Sequence, residues 1–496
     1  MVTFKLIYTI FTIVLGSSLQ FGYQTGVVNA PLKIIENFIR NNTFERFNKT
    51  LTNQELEIIS SVVVTIFPIG GLIGSLFGGI IANRYGRKLS MMLMAIPTAI
   101  GSVLMGISLI SEMFPLLIVG RFIIGISCGV YSGLTPMYLT EIAPLKFQGA
   151  SGTINQFVIV IGVLLSQIFG LEFILGNANN WNFLLGLSLI PCGFQIILLI
   201  FCPESPRYLL LTKNDTNGAR RALQFLRQTK NVDIEIEQMQ LEMENVAVAQ
   251  KILSLREIFG YRYLRFGIFI SVGMHLTQQL SGINSVIFYS DKIFEKANFT
   301  STNANYATIG VGSTNLLITF LSVILVDKLG RKTLHLIGLS GMFIFEIFLS
   351  ICLILSDHWQ PLMYFIMVFI FLYVGSFGIG PGAIPWFIVA EMFTQESRAG
   401  IVSIAVFVNW TCQIVIGLGF PQLLTRLGNY CFLPFVVTLL ISIVFTYWYV
   451  PETKGKTPEE LENYLKRKVD NFDIEEEPLI VNDSIGPIRV DYDDRV

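Results

Sequence analysis

The sequence is poor in charge. Asp, Glu, Lys and Arg make up 14% of its 496 residues, against roughly 25% in soluble domains. A soluble protein of this length needs a charged surface that these residues cannot cover. Nor is there an excess of either sign. The formal net charge is −1 and the pI about 6.4, which leaves no electrostatic footprint for nucleic acid. Cysteine is scarce, and the six present form no CxxC pair, so neither a metal site nor a disulfide framework is indicated. Cys128, Cys192, Cys202, Cys352, Cys412 and Cys431 lie in or beside apolar stretches and are expected to pack as small polarizable residues. Only three histidines occur. No Ser or Cys has an evident base and no nucleotide loop is present, so no enzyme and no cofactor are expected. A cleavable signal peptide is also missing, because the apolar run after Lys5 is too long for one.

What the chain has is hydrophobicity, 52% of its residues, with a mean hydropathy of +0.62. Long apolar runs fall near 6–28, 58–82, 89–111, 114–139, 150–172 and 181–202, then near 263–290, 304–326, 333–356, 361–388, 399–424 and 430–450. Each can cross a bilayer core at 1.5 Å per residue. The expected fold is all-α and membrane-spanning: twelve helices in two pseudo-symmetric six-helix halves with a cytoplasmic helical segment. The expected divisions are an amino half over 1–202, a helical linker over 203–262, a carboxyl half over 263–450 and a charged tail over 451–496. Placing both termini in the cytoplasm puts most Lys and Arg inside. The first outer loop then carries Asn41-Asn42-Thr43 and Asn48-Lys49-Thr50, so Asn41 and Asn48 are candidate glycosylation acceptors. In the tail, Glu475-Glu476-Glu477-Pro478-Leu479-Ile480 fits an acidic dileucine-type sorting signal, with Glu475, Leu479 and Ile480 as contacts for a trafficking adaptor.

Three motifs occur twice, about 250 residues apart. Asn83-Arg84-Tyr85-Gly86-Arg87-Lys88 pairs with Asp327-Lys328-Leu329-Gly330-Arg331-Lys332. Glu141-Ile142-Ala143-Pro144 pairs with Glu391-Met392-Phe393-Thr394, and Pro203-Glu204-Ser205-Pro206-Arg207 with Pro451-Glu452-Thr453-Lys454-Gly455. The glycine-centred turns let two helices meet closely at the inner face, and the basic residues stay at the interface because entering lipid is costly. Simple positive-inside anchoring explains any one motif. Six in register point instead to a moving ionic clasp built from Arg87, Glu141, Arg331, Glu391 and Arg398.

The seventh span holds three amides, Gln278, Gln279 and Asn284. Amides carry both donor and acceptor, as hydroxyl groups do, and are costly in lipid unless paired. A straight helix cannot turn all three to one side, so Gly282 is expected to bend or unwind it. Interhelical hydrogen bonding is the alternative role. Gly380, Pro381 and Pro385 are expected to break the tenth span and act as a gate hinge.

Together with Phe21-Gly22-Tyr23-Gln24-Thr25-Gly26, Gln278-Gln279-Leu280-Ser281-Gly282-Ile283-Asn284 and Gly380-Pro381-Gly382-Ala383-Ile384-Pro385-Trp386, these motifs make the chain resemble the sugar-porter branch of the major facilitator superfamily. More narrowly it is similar to the class I facilitative glucose transporters of animals, from about Gln20 to Thr457. The resemblance implies uniport of a hexose, D-glucose above all, by alternating access across the plasma membrane. It implies sugar contacts at Gln156, Asn315 and Trp386 beside the seventh-span amides, and an aromatic gate at Phe288 and Tyr289. The Gln279-Leu280-Ser281 triplet goes with members that prefer glucose to fructose. Departures stand at Gly378 (a Glu in the family), Gln413 (Asn), Ala383 (Pro) and Gln148 (Arg), the last implying a weaker amino-half clasp. Proton-coupled sugar porters of similar sequence carry a first-span Asp near a fourth-span Arg. Here Arg121 is kept, but the first-span position is Gln24, which cannot titrate. A proton-coupled symporter is the runner-up, and a transporter-like sugar sensor the alternative of another class.

Overall fold

A computed structural model of the protein describes residues 3–144, 148–248, 253–356 and 358–470. Helices make up most of the described residues, and among these no strand occurs. Nine helical stretches are long and apolar enough to cross a bilayer, and two shorter apolar helices, Thr153–Phe169 and Leu433–Tyr449, join them. The remaining crossing is the seventh, whose two segments, Arg262–Gln279 and Ile283–Lys296, are diluted by the polar residues noted above. Spans two, three and four run Asn53–Tyr85, Arg87–Ile107 and Phe114–Ile142, and span five Gln148–Phe169. Eight, nine and eleven run Ser301–Leu329, Arg331–Leu355 and Gln395–Leu427. Three crossings besides the seventh are interrupted: the first after Leu15, the sixth after Gly186 and the tenth between Ile379 and Ile384.

The repeated motifs form the same joint twice. Gly86 and Gly330 have φ of +88° and +91°, a region that only glycine enters freely, and each starts the next span. A carboxylate sits on that helix start in both halves. The backbone N–H groups of Arg87 and Lys88 donate to Glu204 Oε1 at 2.9 and 3.1 Å. Those of Arg331 and Lys332 donate to Glu452 at 2.8 and 3.1 Å. An anion at a helix N-terminus satisfies orphan N–H groups and complements the dipole. Burial pushes the Glu204 carboxyl up, and the donors from Ser205, Lys88 and Arg87 pull it back. The Pro-Glu motifs at the ends of spans six and twelve are therefore caps for spans three and nine.

The ion pairs of the expected clasp lie within each half. Arg87 Nη2 meets Glu141 Oε1 at 2.7 Å, and Arg331 Nη2 meets Glu391 Oε1 at 3.3 Å. The amino-half pair is the shorter, although Gln148 stands where the resemblance implies an Arg. Arg398 turns elsewhere, donating from Nε and Nη2 to the carbonyl of Phe393 at 3.0 and 2.8 Å.

Short helices of the linker pack on this same face. Thr216–Arg227 buries Ala219, Ala222, Leu223 and Leu226, the apolar stripe visible in its sequence. Arg227 pairs with Glu235 at 2.6 Å and donates to the carbonyl of Ile142 at 3.0 Å, which ties the linker to the end of span four. The tail helix Pro458–Asp470 buries Leu461 and Leu465 with Leu264 and Phe393 of the carboxyl half. The six cysteines are unpaired and buried. We call this side the linker face and the opposite side the distal face. Asn41 and Asn48 are exposed at the distal face. The sorting motif at Glu475, Leu479 and Ile480 lies outside the described residues.

Candidate functional site

The seventh span breaks where Gly282 takes φ +88°. A Cβ there would meet the Phe435 ring at 2.8 Å. Breaking a helix in a membrane frees carbonyls that water cannot reach, and these must find donors. They do: the Tyr373 hydroxyl donates to the carbonyl of Ser281 at 2.7 Å, and the Thr438 hydroxyl to that of Leu280 at 2.6 Å. The break swings Asn284 back so that its Nδ2 donates to Gln279 Oε1. Two amides that a straight helix would hold 140° apart thus share one hydrogen bond.

The tenth span breaks at the same depth. A Cβ on Gly380 would lie 2.4 Å from the carbonyl oxygen of Leu334, so the ninth span approaches too closely for any side chain. The freed carbonyls of Pro381 and Gly382 both accept from Gln278 Nε2, at 2.9 and 2.8 Å. Gln278 Oε1 accepts from Asn409 Nδ2 at 2.8 Å, and Asn409 Oδ1 accepts from Gln413 Nε2 at 3.0 Å. Asn409 Nδ2 also lies 3.0 Å from His275 Nδ1, and the His275 ring meets Trp386 edge-on at 4.8 Å. Gln278 therefore has both donors engaged and its oxygen bonded to Asn409: it clamps the tenth-span break to the seventh and eleventh spans. This is the interhelical bonding weighed against a sugar contact, and Gln278 does it here.

One cavity between the halves gathers the candidate residues. Gln156, Gln278, Gln279, Asn284, Asn315 and Trp386 all line it. So do Asn409 and Gln413. Asn409 was missed, because one Asn in an apolar run carries no signal until its neighbours are known. Gly378 faces Asn315: a Cβ there would lie 3.2 Å from both Asn315 Oδ1 and Thr319 Oγ1. Thr319 donates to Asn315 Oδ1 at 3.3 Å. The wall of the cavity sets amides, hydroxyls and aromatic rings among aliphatic side chains such as Ile159, Val163 and Ile287, a surface suited to a neutral polyhydroxylated ligand.

The gating candidates divide. Gly380, Pro381 and Pro385 stand at the tenth-span break. Tyr289 sits at a kink of its own, with φ −137° and ψ 21°, and its hydroxyl donates to the Gly417 carbonyl at 2.7 Å. Phe288 is packed in the core beside it. On the distal side of Tyr289 the two halves meet. Lys33 pairs with Glu295 at 2.6 Å and Lys292 with Glu36 at 2.7 Å. Asn29 donates to Ser290 at 2.7 Å and Thr425 to Glu57 at 3.0 Å. The described ion pairs that cross between halves both lie here, so the cavity is shut toward the distal face.

Arg121 is buried in the fourth span. It donates to the carbonyls of Val63 at 2.8 Å and of Gln24 and Val64 at 3.4 Å, and stands over the Phe67 ring. Gln24 itself donates to Ser188 Oγ at 3.0 Å. The arginine is thus held by carbonyls. Two membrane-embedded carboxylates lie in the other half. Asp291 accepts from Thr308, and Glu346 is fully buried with both oxygens lacking a hydrogen-bond partner.

Comparison with known proteins places this architecture. Residues 9–465 match the family described as sugar (and other) transporters. The chain is 42% identical over 459 residues to solute carrier family 2, facilitated glucose transporter member 1 of Gallus gallus, covering 92% of this chain and 93% of that one. It is 43% identical over 491 residues to member 3 of the same bird, covering 98% of each. Among solved structures, the proton:xylose symporter XylE bound to 6-bromo-6-deoxy-D-glucose superposes with a TM-score of 0.76 at 26% identity, over 93% of this chain and 99% of that one. The partially occluded inward open form of XylE from E. coli gives the same score at 24% identity, over 92% and 100%.

Proposed function

The chain belongs to the sugar transporter family, and from that premise we propose that it moves a hexose, D-glucose first, across the plasma membrane by alternating access and without a coupled ion. The observation that carries this reading is the cavity between the halves, lined by amides at two helix breaks and closed toward the distal face by contacts between the halves. Gln156, Gln279, Asn284 and Asn315 supply the donors and acceptors for the hydroxyls. Trp386 offers a ring for the apolar face of a pyranose. Gln278 is assigned a positioning role as well, since it joins the two breaks. A rocking motion would part the distal contacts while the in-half ion pairs Arg87–Glu141 and Arg331–Glu391 keep each bundle rigid.

The Lys and Arg bias sets the linker face in the cytoplasm, with both termini there. Asn41 and Asn48 are then extracellular and open to glycosylation, and the tail motif at Glu475, Leu479 and Ile480 would be available to a trafficking adaptor. Uniport is supported by Arg121, whose neighbour Gln24 is not an acid. One observation favours proton coupling instead: the unpartnered carboxyl of Glu346, since ionisable groups inside membranes mark function by default.

The test is counterflow of labelled D-glucose in proteoliposomes holding the purified chain. Saturable counterflow is expected, with net uptake unchanged by a protonophore. Absence of counterflow would remove the carrier reading. Uptake that collapses with the protonophore, and survives it in Glu346→Gln, would establish coupling.

A further inference from the structure

Outside the closed gate a second cavity of about 270 Å³ lies between the halves. Tyr289, Phe420 and Pro421 form its floor, and Glu36, Arg40, Glu57 and Lys292 its rim. Tyr289 and Phe420 stack on each other with ring centres 5.9 Å apart, and Leu56 and Leu424 extend the apolar lining. The rim alternates acids and bases. Glu36 is engaged by Lys292, but Arg40 makes a single side-chain contact, Nη2 to Asn53 Oδ1 at 3.3 Å. Glu57 accepts from Thr425 through one oxygen, Oε1. The second oxygen of Glu57 and the other donors of Arg40 thus stand as an acceptor and a fork of donors on the wall of one small cavity. A hydroxyl that donates to a carboxylate while accepting from a guanidinium satisfies both, and charge-assisted bonds of this kind are the strong ones. A ligand offering several such hydroxyls around an apolar ring face matches rim and floor together. An anion or a cation would meet like charge on one side of the rim.

We propose that this distal cavity is a second hexose-binding site, separate from the central one and present while the gate is closed. The inference rests on the reading of the chain as a hexose carrier. It is distinct from that reading because none of Glu36, Arg40, Glu57 and Lys292 lines the central cavity. The site draws Glu36, Arg40 and Glu57 from one half and Lys292 and Phe420 from the other, so a hexose seated there bridges the halves. It would hold the gate shut, and it would place the sugar next to Tyr289, on the path to the central cavity.

The experiment is equilibrium binding of D-glucose to the full chain in lipid nanodiscs, followed by saturation-transfer NMR. Two binding components are expected. Gln279→Ala should weaken the central component alone, by about tenfold. Arg40→Ala and Glu57→Gln should each weaken the other by about tenfold, the size of one lost hydrogen bond to a charged group, and leave the central component intact. That retained component also reports that the variants fold. A single component, weakened by Gln279→Ala and unmoved by Arg40→Ala and Glu57→Gln, would overturn the second site and leave the carrier reading standing. No glucose binding at all would overturn both. Equal binding of glycerol at the second component would show a general polyol pocket and overturn the hexose assignment.

Discussion

At the residue scale the cavity shows how an amide is spent. Gln279 and Asn284 share one bond and both line the cavity, whereas Gln278 has both of its donors committed to the tenth-span break. Replacing each with Ala should therefore give different signatures. Gln279→Ala and Asn284→Ala should raise the KM for glucose about tenfold, the scale of one or two lost hydrogen bonds, with maximal velocity nearly kept. Gln278→Ala strands two buried carbonyls and frees the tenth-span break, so maximal velocity should fall instead. Initial rates across a glucose series would separate the two, and a pure KM effect in Gln278→Ala would sink its positioning role. Gly282→Ala is the sharpest local test of the break. The left-handed φ costs a side chain about 1–2 kcal/mol, and the added methyl would also press on Phe435. Lower expression and lost uptake are expected.

At the element scale, the motif repeat turns out to be a capping device. Spans three and nine start on a glycine with left-handed φ, and each start is closed by a glutamate far along the same half. The sequence displayed both copies, and their common spacing showed that they are equivalent. The carboxylate's target could not be read from it, because a contact across more than a hundred residues leaves no local periodicity. Glu204→Gln and Glu452→Gln should each lower the thermal midpoint of the purified protein, by about 1–2 kcal/mol of local stability. They should leave glucose KM where it was. A changed KM with unchanged stability would mean these acids act in the transport cycle and not as caps. The broken spans follow the same logic. Glycine and proline announced where the seventh and tenth helices yield, but Tyr373 and Thr438, which satisfy the freed carbonyls, look like ordinary span residues in the sequence.

At the scale of the whole molecule, closure is a matter of two faces. The expected clasp residues on the linker face pair inside each half, while Lys33–Glu295 and Lys292–Glu36 bridge the halves distally. Partly exposed pairs of this kind contribute about 0.2–1 kcal/mol each, enough to shift a two-state balance by up to about fivefold. Lys292→Glu should therefore favour the distally open form and speed labelling of a cysteine placed at Ile287 by an impermeant reagent added from the distal side. The charge-swapped pair Lys292→Glu with Glu36→Lys should return the rate toward that of the parent. Failure of the swap to restore it would show that the pair does not hold the gate.

The amino-acid sequence by itself determined the class of this protein: low charge and repeated apolar runs leave only a membrane bundle, and the duplicated motifs make it two related halves. It also placed amides and helix breakers in the right spans, because both are chemically expensive there and stand out. The tertiary structure alone decided which amides bond to which partners, that Asn409 joins them, and that Lys33–Glu295 and Lys292–Glu36 bridge the halves on the distal face. Those are matters of partnership between segments remote in the chain. Periodicity and composition are local, and they say which groups need partners without saying where the partners are.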